Sequence, residues 1–86
     1  MSFEFDLHKS AGNKKKHGID FVAAQELWND GQRIVFLAHI MDEERFFMIG
    51  VLGNKHWTVI YTLRGENIRI ISVRRSRQEE VKLYEG

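Results

Sequence analysis

Arg64, Arg69, Arg74, Arg75 and Arg77 crowd the last third of the chain, with Glu66 as the single acid among them. A guanidinium stays charged and offers paired N–H donors that match two phosphate oxygens at once, so arginines on a rigid strand pair make a seat for a phosphodiester. Upstream, Lys14-Lys15-Lys16-His17 places an imidazole beside Lys16, a group suited to moving a proton next to a phosphate. Asp42-Glu43-Glu44, just before Arg45, offers carboxylates that could serve as general base or orient an arginine through an ion pair. Each group also has a plainer role. Lysines complement a helix C-terminus, acids solvate a turn, and arginine and threonine keep an open sheet face in water.

The arginine excess is local, because 13 Lys+Arg stand against 12 Asp+Glu over the whole chain. With 86 residues and 43% apolar content, one core is affordable and a single domain spanning 1–86 is expected. So small a core gives a partner protein weight in working stability. The absence of cysteine excludes disulfides, thiolate catalysis and nearly all structural zinc sites. His8, His17, His39 and His56 lack metal-ligand spacing, so neither metal nor other cofactor is expected. No apolar run approaches the ~18 residues of a membrane span. Met1 to Ser10 lacks a basic start followed by an apolar stretch, and a cytoplasmic protein is expected.

Several elements must position these groups. Phe3-Glu4-Phe5-Asp6 alternates as a short strand, and Asp6 can cap a helix over Leu7 to His17 that ends at Gly18. Asp20 caps a second helix in which Phe21, Ala24, Leu27 and Trp28 face inward, closed by Asn29-Asp30-Gly31. Four strands follow, Arg33 to Ile40, Arg45 to Leu52, Trp57 to Leu63 and Ile68 to Arg74, with hairpin-length separators Met41-Asp42-Glu43-Glu44, Gly53-Asn54-Lys55 and Arg64-Gly65-Glu66-Asn67. Ser76 to Tyr84 reads as a last helix, with Ser76 as cap and Glu79 at the reciprocal position. The fold class is α+β: an antiparallel sheet of about four strands plus a short N-terminal strand, two N-terminal helices and a C-terminal one.

A two-residue turn at Gly65-Glu66 pairs Leu63 with Ile68, Thr62 with Arg69, Tyr61 with Ile70 and Ile60 with Ile71. Strict alternation then puts Trp57, Val59, Tyr61, Ile68 and Ile70 on the core face, and Thr62, Arg64, Arg69 and Arg75 together on the open one, apart from Arg74. Phe46 and Phe47 are adjacent, so one of them must leave the core.

The ordered set of short motifs resembles the BrnT family of bacterial type II toxins. It comprises Phe3-Glu4-Phe5-Asp6, Lys9, Asn13, Lys16-His17-Gly18, Glu44-Arg45, Ile49-Gly50, Tyr61-Thr62-Leu63-Arg64-Gly65 and Ile68 through Arg75, with Glu80 and Tyr84 in the tail. The chain departs from the family where Phe5-Asp6-Leu7 replaces Trp followed by Asp-Pro, and where Val73 replaces a small alanine. The polar motif positions are intact.

The resemblance implies a RelE-like fold and an endoribonuclease toxin that cleaves messenger RNA. It also implies neutralisation by a BrnA-like ribbon-helix-helix antitoxin, in a heteromer with two copies of each chain. Without cysteine or a clustered metal site, cleavage would run through attack of a ribose 2′-hydroxyl on the adjacent phosphate, which needs a base, cations and an acid. Arg64, Arg69 and Arg74 or Arg75 are the candidate cations. His17 and Glu44 compete for base, Tyr61, His17 or Lys16 for acid, and Thr62 belongs with the RNA-binding face. The alternative is a module that binds nucleic acid or an acidic protein through the same arginine face without cutting.

Overall fold

The computed structural model describes residues 2–40 and 42–86, so Met1 and Met41, the latter part of an expected hairpin separator, lie outside the described residues. The alternating stretches form β1 (Ser2–Glu4), β2 (Ile34–Ile40), β3 (Glu43–Leu52), β4 (Lys55–Arg64) and β5 (Asn67–Arg75). They make one sheet in the order β1-β5-β4-β3-β2. β2 to β5 form the expected antiparallel meander. The sheet is nevertheless mixed and five-stranded, because β1 joins it parallel to β5, with Phe3 beside Ile68. The aromatics of the first segment hold it there: Phe3 meets Trp28 edge-on at 4.9 Å and Phe5 meets Phe21 at 5.7 Å.

Helix α1 (Leu7–His17) starts where Asp6 accepts from the Lys9 N–H at 3.0 Å and ends at Gly18. Asp20 also acts as expected, accepting from the Ala23 N–H at 2.8 Å. The element it introduces is a 3-10 helix, Ala23–Asn29, and not an α-helix. Phe21, Ala24 and Leu27 are all buried, and their spacing of three is the period at which side chains eclipse in a 3-10 winding. The helix sits directly on β3, where a Cβ at Gly50 would lie 3.2 Å from Leu27 Cδ2.

Helix α2 (Gln78–Glu85) begins later than expected. Its cap is Arg77, whose N–H donates to Glu80 Oε1 at 2.7 Å, so Glu80 and not Glu79 holds the reciprocal position. Ser76 instead bonds Thr58, Oγ to Oγ1 at 2.8 Å.

The 3-10 helix covers one sheet face, burying Phe21, Ala24 and Leu27 against Met48, Val59, Ile68, Ile70 and Val73. Phe46 belongs to this side, whereas Phe47 faces the other. Helix α2 lies over part of the second face, above the fully buried Thr58, whose hydroxyl donates to Glu80 at 3.0 Å. Past the end of β1, the outer edge of β5 is completed by a side chain. Asn13 accepts the Val73 N–H at 3.1 Å and donates to the Val73 carbonyl at 2.9 Å and the Ile19 carbonyl at 2.7 Å. Among the described residues no helix is long and apolar enough to cross a membrane.

Candidate functional site

The β4–β5 hairpin turns at Gly65, whose φ of 61° lies in the left-handed region that favours glycine. Its register is the expected one from Arg64↔Asn67 through Tyr61↔Ile70. A β-bulge then passes over Ile71, so Ile60 pairs with Ser72, Val59 with Val73, Thr58 with Arg74 and Trp57 with Arg75. The extra residue reverses parity along the rest of β5. It turns Val73 into the core and carries Arg75 to the core side, where its guanidinium stands 5.6 Å over the Trp57 ring. The expected grouping of Arg75 with Arg64 and Arg69 is therefore corrected: Arg74 shares their face.

That face is divided along its length. At the bulge end, Arg74 makes two hydrogen bonds to Glu80, at 2.7 and 2.9 Å, and the pair is closed in under α2. The hydrogen bond from Arg74 does most to hold the Glu80 carboxyl down at about 2, against the cost of burial. Its guanidinium is already satisfied.

At the turn end, Arg69 lies opposite Thr62, 3.5 Å from Glu4 of β1, and Arg64 is exposed at the end of β4. The β3–β4 ladder stops at Phe46↔Tyr61, while β2–β3 pairing runs on to Ile40↔Glu43 and β4–β5 pairing to Arg64↔Asn67. The two hairpins thus part beyond Phe46. Thr62 bridges the gap, its hydroxyl donating to the Glu44 carbonyl at 2.9 Å. A cleft of about 340 Å³ opens there, lined by Glu43, Glu44, Phe46, Thr62, Leu63 and Arg64.

One residue of this end, Arg45, was not among the candidate cations. Arg45 and Phe47 alternate with the core-side Phe46 and Met48, so Arg45 shares the face of Thr62. Its Nη2 is 3.3 Å from Glu43, and its Nε is the only buried side-chain nitrogen or oxygen without a partner among the described residues. Strand parity alone would have found Arg45, and Glu43 pairs with it in the orienting role expected of a carboxylate in Asp42-Glu43-Glu44.

Other candidates lie elsewhere. Tyr61 is buried on the core side, stacked on Phe46 at 5.1 Å and edge-on to Trp28 at 5.2 Å, and burial pushes its phenol up. Asn13 pins α1 at Val73, four residues past Arg69 and roughly 13 Å along the strand. Exposed Lys16 and half-buried His17 lie within about one helical turn of that anchor and are not among the residues that line the cleft. The geometry thus places Thr62, Arg64, Arg69, Arg45 and Glu43 on one face, with Glu44 reaching the cleft from the other side of β3, and puts Tyr61 and Arg75 on the core side and Lys16 and His17 on α1.

No curated protein matches the chain. A family model described as the ribonuclease toxin, BrnT, of type II toxin-antitoxin systems matches residues 5–80, which include all of these positions. The chain belongs to the BrnT family of ribonuclease toxins of type II toxin-antitoxin systems.

Proposed function

We propose that the chain is a metal-independent endoribonuclease of messenger RNA whose site is the cleft where β3 and β4 part. The observation that carries this reading is the joining of Thr62, Arg64, Arg69 and Arg45 on one face beside the carboxylates of Glu43 and Glu44. RNA cleavage by its own 2′-hydroxyl forms the O2′–P bond, breaks the P–O5′ bond and leaves a 2′,3′-cyclic phosphate and a 5′-hydroxyl. Arg64 and Arg69 neutralise the phosphorane oxygens, and Arg45 adds a third guanidinium oriented by Glu43. Glu44, exposed at the cleft, takes the 2′ proton. With Tyr61 in the core and Lys16 and His17 on α1, outside the lining of the cleft, the leaving 5′ oxygen takes its proton from solvent. Phe46 and Leu63 give the cleft an apolar wall for a base.

A type II toxin is held by a protein antitoxin, and we assign this role to a BrnA-like ribbon-helix-helix protein in a 2:2 complex that covers the arginine face in the cytoplasm. Operator DNA is contacted only through the antitoxin. The single domain and its RelE-like architecture are part of the same reading, supported by the helix-covered meander. The test is a gel of RNA incubated with the protein in EDTA. Wild type is expected to cut and to leave cyclic-phosphate ends, whereas folded Arg64→Ala and Arg69→Ala are expected to be inactive. Full activity in both variants would place the chemistry elsewhere.

A further inference from the structure

β2 is an outer strand of the sheet, so one row of its backbone N–H and C=O groups has no strand beside it. The other outer strand, β1, is three residues long and carries an acid, Glu4. β2 has neither protection. Its seven residues, Ile34–Ile40, contain no Lys, Arg, Asp, Glu or proline, and Val35, Phe36 and Leu37 are 46, 41 and 59% exposed.

We propose that β2 pairs antiparallel with β2 of a second copy of this chain across a two-fold axis at Leu37, joining two five-stranded sheets into one. The register centred on Leu37 is the one that pairs all seven residues. Ile34 then faces Ile40, Val35 faces His39, Phe36 faces Ala38, and Leu37 faces its own copy.

Residues directly opposite share a sheet face, so Phe36 of one copy falls beside Ala38 of the other. The surface is hollow at that point: Phe36, Ala38, Phe47, Glu80 and Leu83 line a groove of about 320 Å³ below α2. A phenyl ring arriving opposite the small Ala38 fills it, and the two-fold does so twice. Charge agrees with the register. Arg33 precedes β2 and Asp42 and Glu43 follow it, so the dyad sets the basic end of each strand against the acidic end of its partner. Strand length, side-chain volume and end charges are each self-complementary, which selects a second copy over an unrelated segment. The inference does not depend on the ribonuclease reading.

Sedimentation velocity of the full chain over a concentration series tests it. Wild type is expected to reach dimer mass, and Leu37→Lys, which sets two ammonium groups at the dyad, is expected to remain a folded monomer, with an unfolding midpoint equal to that of wild type at concentrations too low for dimer. Val22→Lys, at a position 62% exposed outside the strand, is expected to dimerise as wild type does. Because the chain has no cysteine, a single Leu37→Cys is expected to form a covalent dimer on mild oxidation and Val22→Cys is not. Directly opposed strand residues lie within disulfide reach. A wild-type monomer at every concentration, with β2 covered only when antitoxin is added, would overturn the proposal, as would a dimeric Leu37→Lys chain.

Discussion

Arg74 and Glu80 meet in two parallel hydrogen bonds of 2.7 and 2.9 Å, and this fork ties β5 to the first turn of α2. The same carboxylate takes the Arg77 N–H and the Thr58 hydroxyl, so one acid closes the junction. Such a pair is strong because it is bidentate and mostly withdrawn from water, and removing one partner leaves the other charge with nothing.

The pH dependence follows from the sign of the shift. Glu80 titrates at about 2 in the folded chain against an ordinary 4.5, so its contribution is complete above 4.5 and is lost as pH falls toward 2. Glu80→Gln is expected to cost about 2–3 kcal/mol at neutral pH. In urea unfolding, the gap between wild type and Glu80→Gln should close between pH 4.5 and 2; a constant gap would refute this assignment.

Tyr84 should show the opposite dependence. Its hydroxyl donates to Asp30 Oδ2 at 2.7 Å, an oxygen that also accepts the Val51 N–H at 2.9 Å. Bonding to Asp30, then burial, pushes the phenol up to about 12 from an ordinary 10.0. The contribution is therefore present below pH 10 and is lost as pH rises through 12. Tyr84→Phe is expected to cost about 1 kcal/mol at neutral pH and to flatten the alkaline fall in unfolding midpoint. An unaltered fall in the variant would assign it to Tyr61 or to another group.

Asn13 is expected to be among the most sensitive polar positions. Its amide completes three backbone groups, both polar groups of Val73 and the Ile19 carbonyl, in a buried setting. Asn13→Ala strips all three partners and should cost about 2–4 kcal/mol. Asn13→Asp keeps the acceptor, loses the donor and should be nearly as damaging. Amide exchange at Val73 is the direct readout, and protection equal to wild type in Asn13→Ala would mean that the edge is satisfied otherwise.

Most of the frame could be read from periodicity: the order of elements, the hairpin separators, and the caps at Asp6 and Asp20. What could not be read came from places where one local rule yields to another. In β5, alternation from Ile68 and Ile70 points Ser72 inward, yet Val73 is the residue the core takes up, and the bulge reconciles them. That break in alternation was visible, but its consequence for Arg74 and Arg75 needed the partner strand. The spacing of Phe21, Ala24 and Leu27 fits a three-residue period as well as a 3.6-residue one, so the pattern alone does not distinguish a 3-10 from an α winding. The cleft was invisible for a different reason. It exists because two hairpins part, and no single segment encodes a gap between two others.

The arginine variants separate this site from the grouping that strict alternation would give. Arg64→Ala and Arg69→Ala remove guanidinium groups from the cleft end and are expected to lower the cleavage rate by about 10²–10³-fold with little change in unfolding midpoint. Arg45→Ala should fall in the same range, because its Nε has no protein partner to lose and its Nη2 holds only Glu43. Arg75→Ala, on the opposite face over Trp57, should retain activity within a few-fold. Arg74→Ala should behave as a stability variant, with a lowered midpoint and residual activity that tracks the folded fraction, since Glu80 occupies its donors. Measuring initial cleavage rates beside unfolding curves for the five variants decides the matter. A severe loss in Arg75→Ala with wild-type stability would move the site to the end of β5 near α1 and restore His17 and Lys16 as its proton carriers.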